Sequence, residues 1–455
     1  MNFKKLFLLS TLSMLLCMGC GTANTEPRET AVEAWEELSD SEEDIPITWE
    51  EIPNTEEDIA DAEKAIENAE ENASGTEVQN SDKSSSDSDN ITDASNNSVN
   101  QQEELSESSM QKLLIPPVKV KGIYVTGPAA GSERMEQLID LVSSTELNTM
   151  VIDVKNDEGN LTYKMEVPAS ANLEAGIRYV KDMPALVGRL HQQGIYVIAR
   201  IVCFKDPVLA AARPELALRL PDGKAVMDAN GLAWVNPYKE EVWDYLCTLA
   251  ECAARDGFDE IQFDYVRFPI GNDANAADYG VDMSTYPREA GLTDFFDYAS
   301  KRLHEKQIIF GADLFGTIIG SDVDRDRTGQ NYLSIAEHTD AICPMIYPSH
   351  YANGTFGMNV PDQYPYETIA NALQLSKEEL GETDSPKGVV RPWLQCFNAI
   401  WVDGHITYGS KEVHDQIQAV YDAGYEEWFL WHASNHYEQV KSALTDYTYS
   451  YPEAP

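Results

Sequence analysis

Hydrophobic positions along the chain change pattern at about Val118. From there on, apolar runs of strand length alternate with stretches of helical periodicity. The runs are KGIYVTG (121–127), NTMVIDVK (148–155), YVIARIVCF (196–204) and EIQFDYVRF (260–268). Four more follow: QIIFGADLFG (307–316), AICPMIYP (341–348), RPWLQCFN (391–398) and EWFLWHAS (427–434). Between most of them lie amphipathic segments such as SERMEQLIDLVSSTEL, KDMPALVGRLHQQG, KEEVWDYLCTLAECAARDG and KEVHDQIQAVYDAG. Strands that are apolar almost throughout are buried on both faces, as parallel strands covered by helices are. Eight of them alternating with helices predict an α/β fold, a (β/α)8 TIM barrel with extended loops. A doubly wound sheet would announce a nucleotide through a Gly-rich first turn, and VTGPAAGSER is neither GxGxxG nor a P-loop.

The N-terminal quarter has a different texture. Met1–Lys5 is a short basic region and Leu6–Leu16 an apolar stretch of signal-peptide length, too short for an ordinary membrane span. The segment ends in Leu16-Cys17-Met18-Gly19-Cys20, which resembles a bacterial lipobox with Cys17 in place of the usual aliphatic residue. Cys20 is then the expected lipidation site, and two acyl chains on it would anchor the protein stably. Residues 21–115 are expected to be a disordered acidic linker, because Ser74–Asn100 is too polar to offset its chain entropy by burial. A weak helical pattern covers Glu56–Ala73. The expected organisation is a signal peptide at 1–20, the linker at 21–115 and the barrel at 116–455. An exported protein, lipid-anchored to the outer face of a bacterial membrane and monomeric, follows as the expectation.

Charge sharpens this division. The chain has 455 residues and a formal charge of −44. Residues 21–110 hold 27 acidic side chains against Arg28, Lys64 and Lys83, so more than half of the excess sits in about a fifth of the chain. A chain this acidic repels phosphate backbones, which excludes nucleic acid as a partner. Of the seven cysteines, Cys203, Cys247, Cys252, Cys343 and Cys396 fall in the barrel and read as small buried residues. No HExxH is present, and His350 and His432 lack the spaced partners of a zinc site, so neither a metal nor another cofactor is expected. No GxSxG elbow supports a serine hydrolase.

In a barrel, chemistry is sought at strand C-termini and in the loops after them. The connections 206–239 and 271–291 are the long ones, both on that side. Asp264 ends the fourth strand and shares a face with Gln262; Arg267 or nearby backbone could satisfy it structurally. Asp313 holds the same place in the fifth strand, between glycines that allow close backbone approach. Asp153 does so in the second, with Lys155 on its face as a neutralising partner and Asp157 just beyond. Arg200 in the third strand could hold a carboxylate or bind a substrate hydroxyl. Three such carboxylates are the elements of glycoside hydrolysis, in which one acid protonates the leaving oxygen and another carboxylate attacks or activates water. Candidate contacts to a polysaccharide or oligosaccharide are Tyr124, Lys155, Arg200, Trp234, Asn236, Arg267, Tyr347, His350, Gln395 and Trp431, with Tyr351, Trp393 and Trp401 as further aromatic residues for sugar stacking.

KGIYVTG, VIDVKND, the WVNP of Trp234–Pro237, GFDEIQFDYVRFP, GADLFG and MIYPSHY together carry a resemblance over about 121–435. On these motifs the chain resembles the glycoside hydrolase-like barrel family of bacterial surface and secreted proteins, distantly similar to the α-amylase clan. By that resemblance Asp264 would be the nucleophile and Asp313 the acid/base. The clan's acid is normally Glu, so Asp153 stays an alternative to Asp313. The fourth-strand motif is also similar to that of chitinases, but Val266 stands where their catalytic Glu would be, which disfavours substrate-assisted catalysis. A non-catalytic glycan-binding lipoprotein on the same barrel is the alternative to an enzyme.

Overall fold

The computed structural model describes residues 113–450 apart from 172, 174 and 175. The signal, Cys20, most of the linker and Glu56–Ala73 lie outside the described residues. Eleven strands occur among those described: β1 Lys121–Val125, β2 Thr149–Lys155, β3 Leu161–Tyr163, β4 Gly176–Val180, β5 Tyr196–Val202 and β6 Glu260–Asp264. They continue with β7 Ile309–Phe315, β8 Ala341–Ile346, β9 Val389–Val390, β10 Trp393–Gln395 and β11 Trp428–Trp431.

Eight of them close a parallel barrel in the order β1-β2-β5-β6-β7-β8-β10-β11, with β11 pairing back onto β1. These are the eight apolar runs. Every residue of β2, β5, β6, β8 and β11 is buried, because one face fills the barrel and the other meets the helices. The helices Arg134–Ser143, Met183–Gln192, Glu240–Arg255, Arg288–His304, Pro365–Leu380 and Ser410–Asp422 cover the outside with their apolar stripes. Cys203, Cys247, Cys252, Cys343 and Cys396 are buried free thiols.

Strand placement depends on two glycines in β7 and its exit. A Cβ at Gly311 would come within 2.9 Å of the Ala341 carbonyl oxygen, and one at Gly316 within 2.5 Å of that of Met345. Only residues without a side chain let β7 lie this close to β8, and β7 carries Asp313. The excursion after β2 is a departure from the eight-run pattern: β3 pairs antiparallel with β2, and β4 pairs parallel with β3.

Candidate active site

The carboxyl ends of β2, β5 and β6 meet around one guanidinium. Arg200, on β5 and fully buried, donates from Nε to Asp264 Oδ2 at 2.8 Å and from Nη1 to Asp153 Oδ1 at 2.8 Å. Its Nη2 reaches Asp157 Oδ1 at 3.1 Å and Asp264 Oδ2 at 2.7 Å. Burial opposes the charge on Arg200, but Asp157, Asp264 and Asp153 overcome it and hold its pKa well above the usual arginine value. Asp264 thus receives a side-on guanidinium on one oxygen, while Oδ1 accepts the Tyr265 backbone N–H at 2.6 Å. Tyr265 itself sits at φ 47°, a left-handed conformation strained for a residue with a side chain. The β5–β6 ladder continues through it: Cys203 N donates to Asp264 O at 2.8 Å and Phe204 N to Tyr265 O at 3.2 Å.

Asp153 has both oxygens engaged, Oδ1 by Arg200 and Oδ2 by the Tyr124 hydroxyl at 2.7 Å. Burial raises its pKa, Arg200 and Tyr124 oppose that, and Asp264 adds to it. Lys155 is not its partner. The β2–β5 register shifts between Asp153 and Lys155, inserting Val154 as an extra residue, so the period-2 alternation that would put the two side chains together is broken. Lys155 Nζ instead pairs with Asp206 at 2.9 Å and donates to Val202 O at 2.6 Å. Asp206 also caps the helix Pro207–Ala212 through Leu209 N.

Asp313 is arranged differently. It is 2% exposed, and no cation pairs with it among the described residues. Two neutral donors, Gln262 Nε2 and Trp393 Nε1, converge on Oδ1, the latter at 2.6 Å; among the described residues Oδ2 receives no hydrogen bond. Burial, with the Asp264 charge as the next cause, pushes its pKa well above the usual carboxylate value, against the pull of Gln262, Trp393 and Arg200. The site therefore pairs a carboxylate clamped by arginine with a neighbour that favours its proton, and the oxygen left to carry that proton is Oδ2.

The other sequence candidates divide into two groups. Tyr124 and Trp431 stack at 4.0 Å, and Arg200 lies over both rings at 5.3 and 5.5 Å. Tyr347 is fully buried, and its hydroxyl feels Asp313, Asp264 and Arg200. Those residues belong to the site. Others hold loops in place. Arg267 does not satisfy Asp264; it donates to Phe268 O at 2.9 Å and lies over Trp234 at 4.8 Å and Phe315 at 4.7 Å. Asn236 donates to Tyr279 O at 2.9 Å, tying the two long loops together. Gln395 is spent on Asp362, Phe397 O and Ser349 N. His350 packs against Tyr347 and Phe397, and burial lowers its pKa to about 3. Residues passed over as site members are Asp157 and Gln262, and Trp393, read only as a ring for sugar stacking, is a hydrogen-bond donor to Asp313. The shared face of Gln262 and Asp264 was the signal for one; Trp393 reaches Asp313 across 80 residues of sequence, with no local trace. Among the described residues no group of three or more His, Cys, Asp or Glu is arranged to hold a metal ion.

A family model described as "Putative glycosyl hydrolase domain" matches residues 122–437. No curated protein matches the chain. Among solved structures, a hypothetical protein from Ruminiclostridium thermocellum ATCC 27405 is 36% identical over 43% of this chain and 99% of that one, with a TM-score of 0.39. The PgaB (BpsB) glycoside hydrolase domain from Bordetella bronchiseptica is 13% identical over 73% of this chain and all of that one, with a TM-score of 0.51, a likeness of fold. The alpha-L-fucosidase isoenzyme 2 of Paenibacillus thiaminolyticus is 12% identical over 72% and 48%, with a TM-score of 0.47. The matched residues take in the closed barrel but for Lys121 at the start of β1, with its carboxylates, and the chain belongs to the family described as "Putative glycosyl hydrolase domain".

Proposed function

We propose that the barrel hydrolyses O-glycosidic bonds of a cell-envelope or environmental polysaccharide, with Asp313 as general acid/base and Asp264 as nucleophile. One observation carries the assignment: Asp313 has an elevated pKa and an unengaged Oδ2, while on the neighbouring strand Asp264 is clamped by Arg200. Asp153 is set aside as the acid because both its oxygens already accept hydrogen bonds. In the first step Asp313 gives its proton to the leaving oxygen as the C–O bond breaks and Asp264 bonds to the anomeric carbon. Asp313, now ionised, then takes a proton from water, whose oxygen displaces Asp264 and restores the original anomeric configuration. Arg200 and the Tyr265 N–H fix the orientation of Asp264 throughout.

The test is a panel of activated aryl glycosides followed by proton NMR of the released anomer. Asp264→Asn is expected to abolish turnover with folding intact, and wild-type product to retain configuration; unchanged hydrolysis by Asp264→Asn removes it from the nucleophile role. A glycan-binding protein without turnover is the second reading, favoured by the 2% exposure of both Asp264 and Asp313. Glycan binding with no hydrolysis across the panel selects it. The location proposed is the outer face of the membrane, through lipid on Cys20; loss of labelled fatty acid in Cys20→Ala tests it, and retained label overturns it.

A further inference from the structure

The aromatic rings around the site fall into two sets according to what covers them. On the β1, β11 and β5 side, Tyr124 and Trp431 cover one another beneath Arg200. Arg267 lies over Trp234, Tyr265 and Phe315, and Lys205 over Tyr265 at 4.5 Å. A ring face that holds a cation has its electron-rich surface already engaged. On the β8 and β10 side a second set runs outward: Tyr347 meets Phe397 at 5.6 Å, His350 bridges Phe397 and Trp401 at 6.0 and 6.2 Å, and Phe397 and Trp401 lie 6.0 Å apart at an interplanar angle of 21°. Exposure increases along it, from fully buried Tyr347 through half-buried Phe397 and Trp401 to Ile400 at 59%. Among the described residues no lysine or arginine lies over Phe397 or Trp401.

We propose that Phe397 and Trp401 form a stacking subsite for a chain of uncharged pyranose residues, leading outward from the Asp313 side of the site along the loop after β10. Two separate features select the ligand. The near-parallel, partly exposed rings offer flat apolar surface that suits the C–H face of a sugar. The neutral character follows from the surroundings: His350, with its pKa near 3, adds no positive charge beside Phe397 and Trp401, and the cations near the site, Arg200, Arg267 and Lys205, lie over the other set of rings, so nothing at these two rings among the described residues would hold an anionic polymer. The inference rests on the glycosidase reading for its substrate but concerns binding, which is measured independently of turnover.

The experiment is affinity electrophoresis of the full-length chain in gels containing hydroxyethylcellulose, soluble starch, laminarin or xylan, with alginate and polygalacturonate as anionic polymers. The expected result is retardation by at least one neutral glycan and by neither anionic one. Trp401→Ala should weaken it about tenfold and Trp401→Phe should largely preserve it. Unaltered near-ultraviolet circular dichroism of Trp401→Ala shows that the loss is local, and Phe397→Ala with the same loss provides the check should Trp401→Ala misfold. Retardation by the anionic polymers alone, by no neutral glycan, or to the same degree in folded Trp401→Ala and Phe397→Ala overturns the subsite. If Trp401-dependent retardation persists in Asp313→Asn while no aryl glycoside is cleaved by wild type, the subsite stands and the hydrolase reading falls.

Discussion

Two buried arginines, one at each mouth of the barrel, are built alike and do different work. At the amino ends of the strands, Arg391 donates to Glu260 at 2.6 Å and to Glu427 at 2.6 Å. Glu260 also accepts from the Tyr196 hydroxyl and Glu427 from Val120 N, so each carboxylate is served by neutral donors as well. At the carboxyl ends Arg200 serves three aspartates, and a fourth, Asp313, stands beside them without a cation. The lower cluster has about as much negative charge as its cation and donors can satisfy. The upper one has more, and Asp313, buried and facing the charge of Asp264 with no cation of its own, has its pKa pushed well above the usual carboxylate value. What separates the two clusters is the carboxylate left without a cation; burial, which raises the pKa of Glu260 as well as that of Asp313, is common to both.

Breaking each arginine tests this contrast. Arg200→Met strands three buried aspartates and is expected to cost about 3–5 kcal/mol or more in denaturant unfolding, with turnover lost as well. Arg391→Met is expected to cost a similar 3–5 kcal/mol but to leave kcat per folded molecule unchanged; lost turnover in that variant would place the lower cluster in the chemistry. Asp313→Asn should lower kcat about 10²–10⁴-fold with little loss of stability.

The sign of its pH effect follows from linkage. Because the folded pKa of Asp313 lies above its ordinary 3.8, its contribution to stability is complete below that value and is lost as pH rises through the folded pKa. Thermal unfolding from pH 4 upward should therefore favour Asp313→Asn increasingly over wild type. His350 has the opposite sign. With a folded pKa near 3 against an ordinary 6.5, its contribution is present above 6.5 and is lost as pH falls toward 3, so His350→Phe should flatten part of the acid limb. The smallest effect belongs to pairs outside both clusters: Lys301→Ala, which removes an exposed helical pair with Asp297, should change stability by no more than about 0.5 kcal/mol.

All eight barrel strands were legible in the sequence because burial on both faces leaves an unbroken apolar run. The β3 and β4 excursion was not, since three to five residues with an exposed side, such as Gly176–Val180, carry no readable period. The strand-end aspartates were legible for the same reason: an ionisable group late in an apolar run stands out. Their partners were not. Local spacing suggested Lys155 for Asp153 and Arg267 for Asp264, whereas a bulge turned the first away and the cross-strand register gave both aspartates to Arg200. Partner choice between strands depends on register, which single runs do not encode.

The reach of Arg200 bears on how the chain folds. Its acceptors lie on β2, on the turn after β2 and on β6, so its charge is satisfied only when three separately formed segments have docked in their final alignment. A chain that closed with β2 or β6 slipped by one residue would bury a cation facing apolar side chains, a cost of several kcal/mol that disfavours the misaligned barrel. The Arg200 cluster therefore acts as a checkpoint on assembly, favouring one alignment of the barrel over its neighbours.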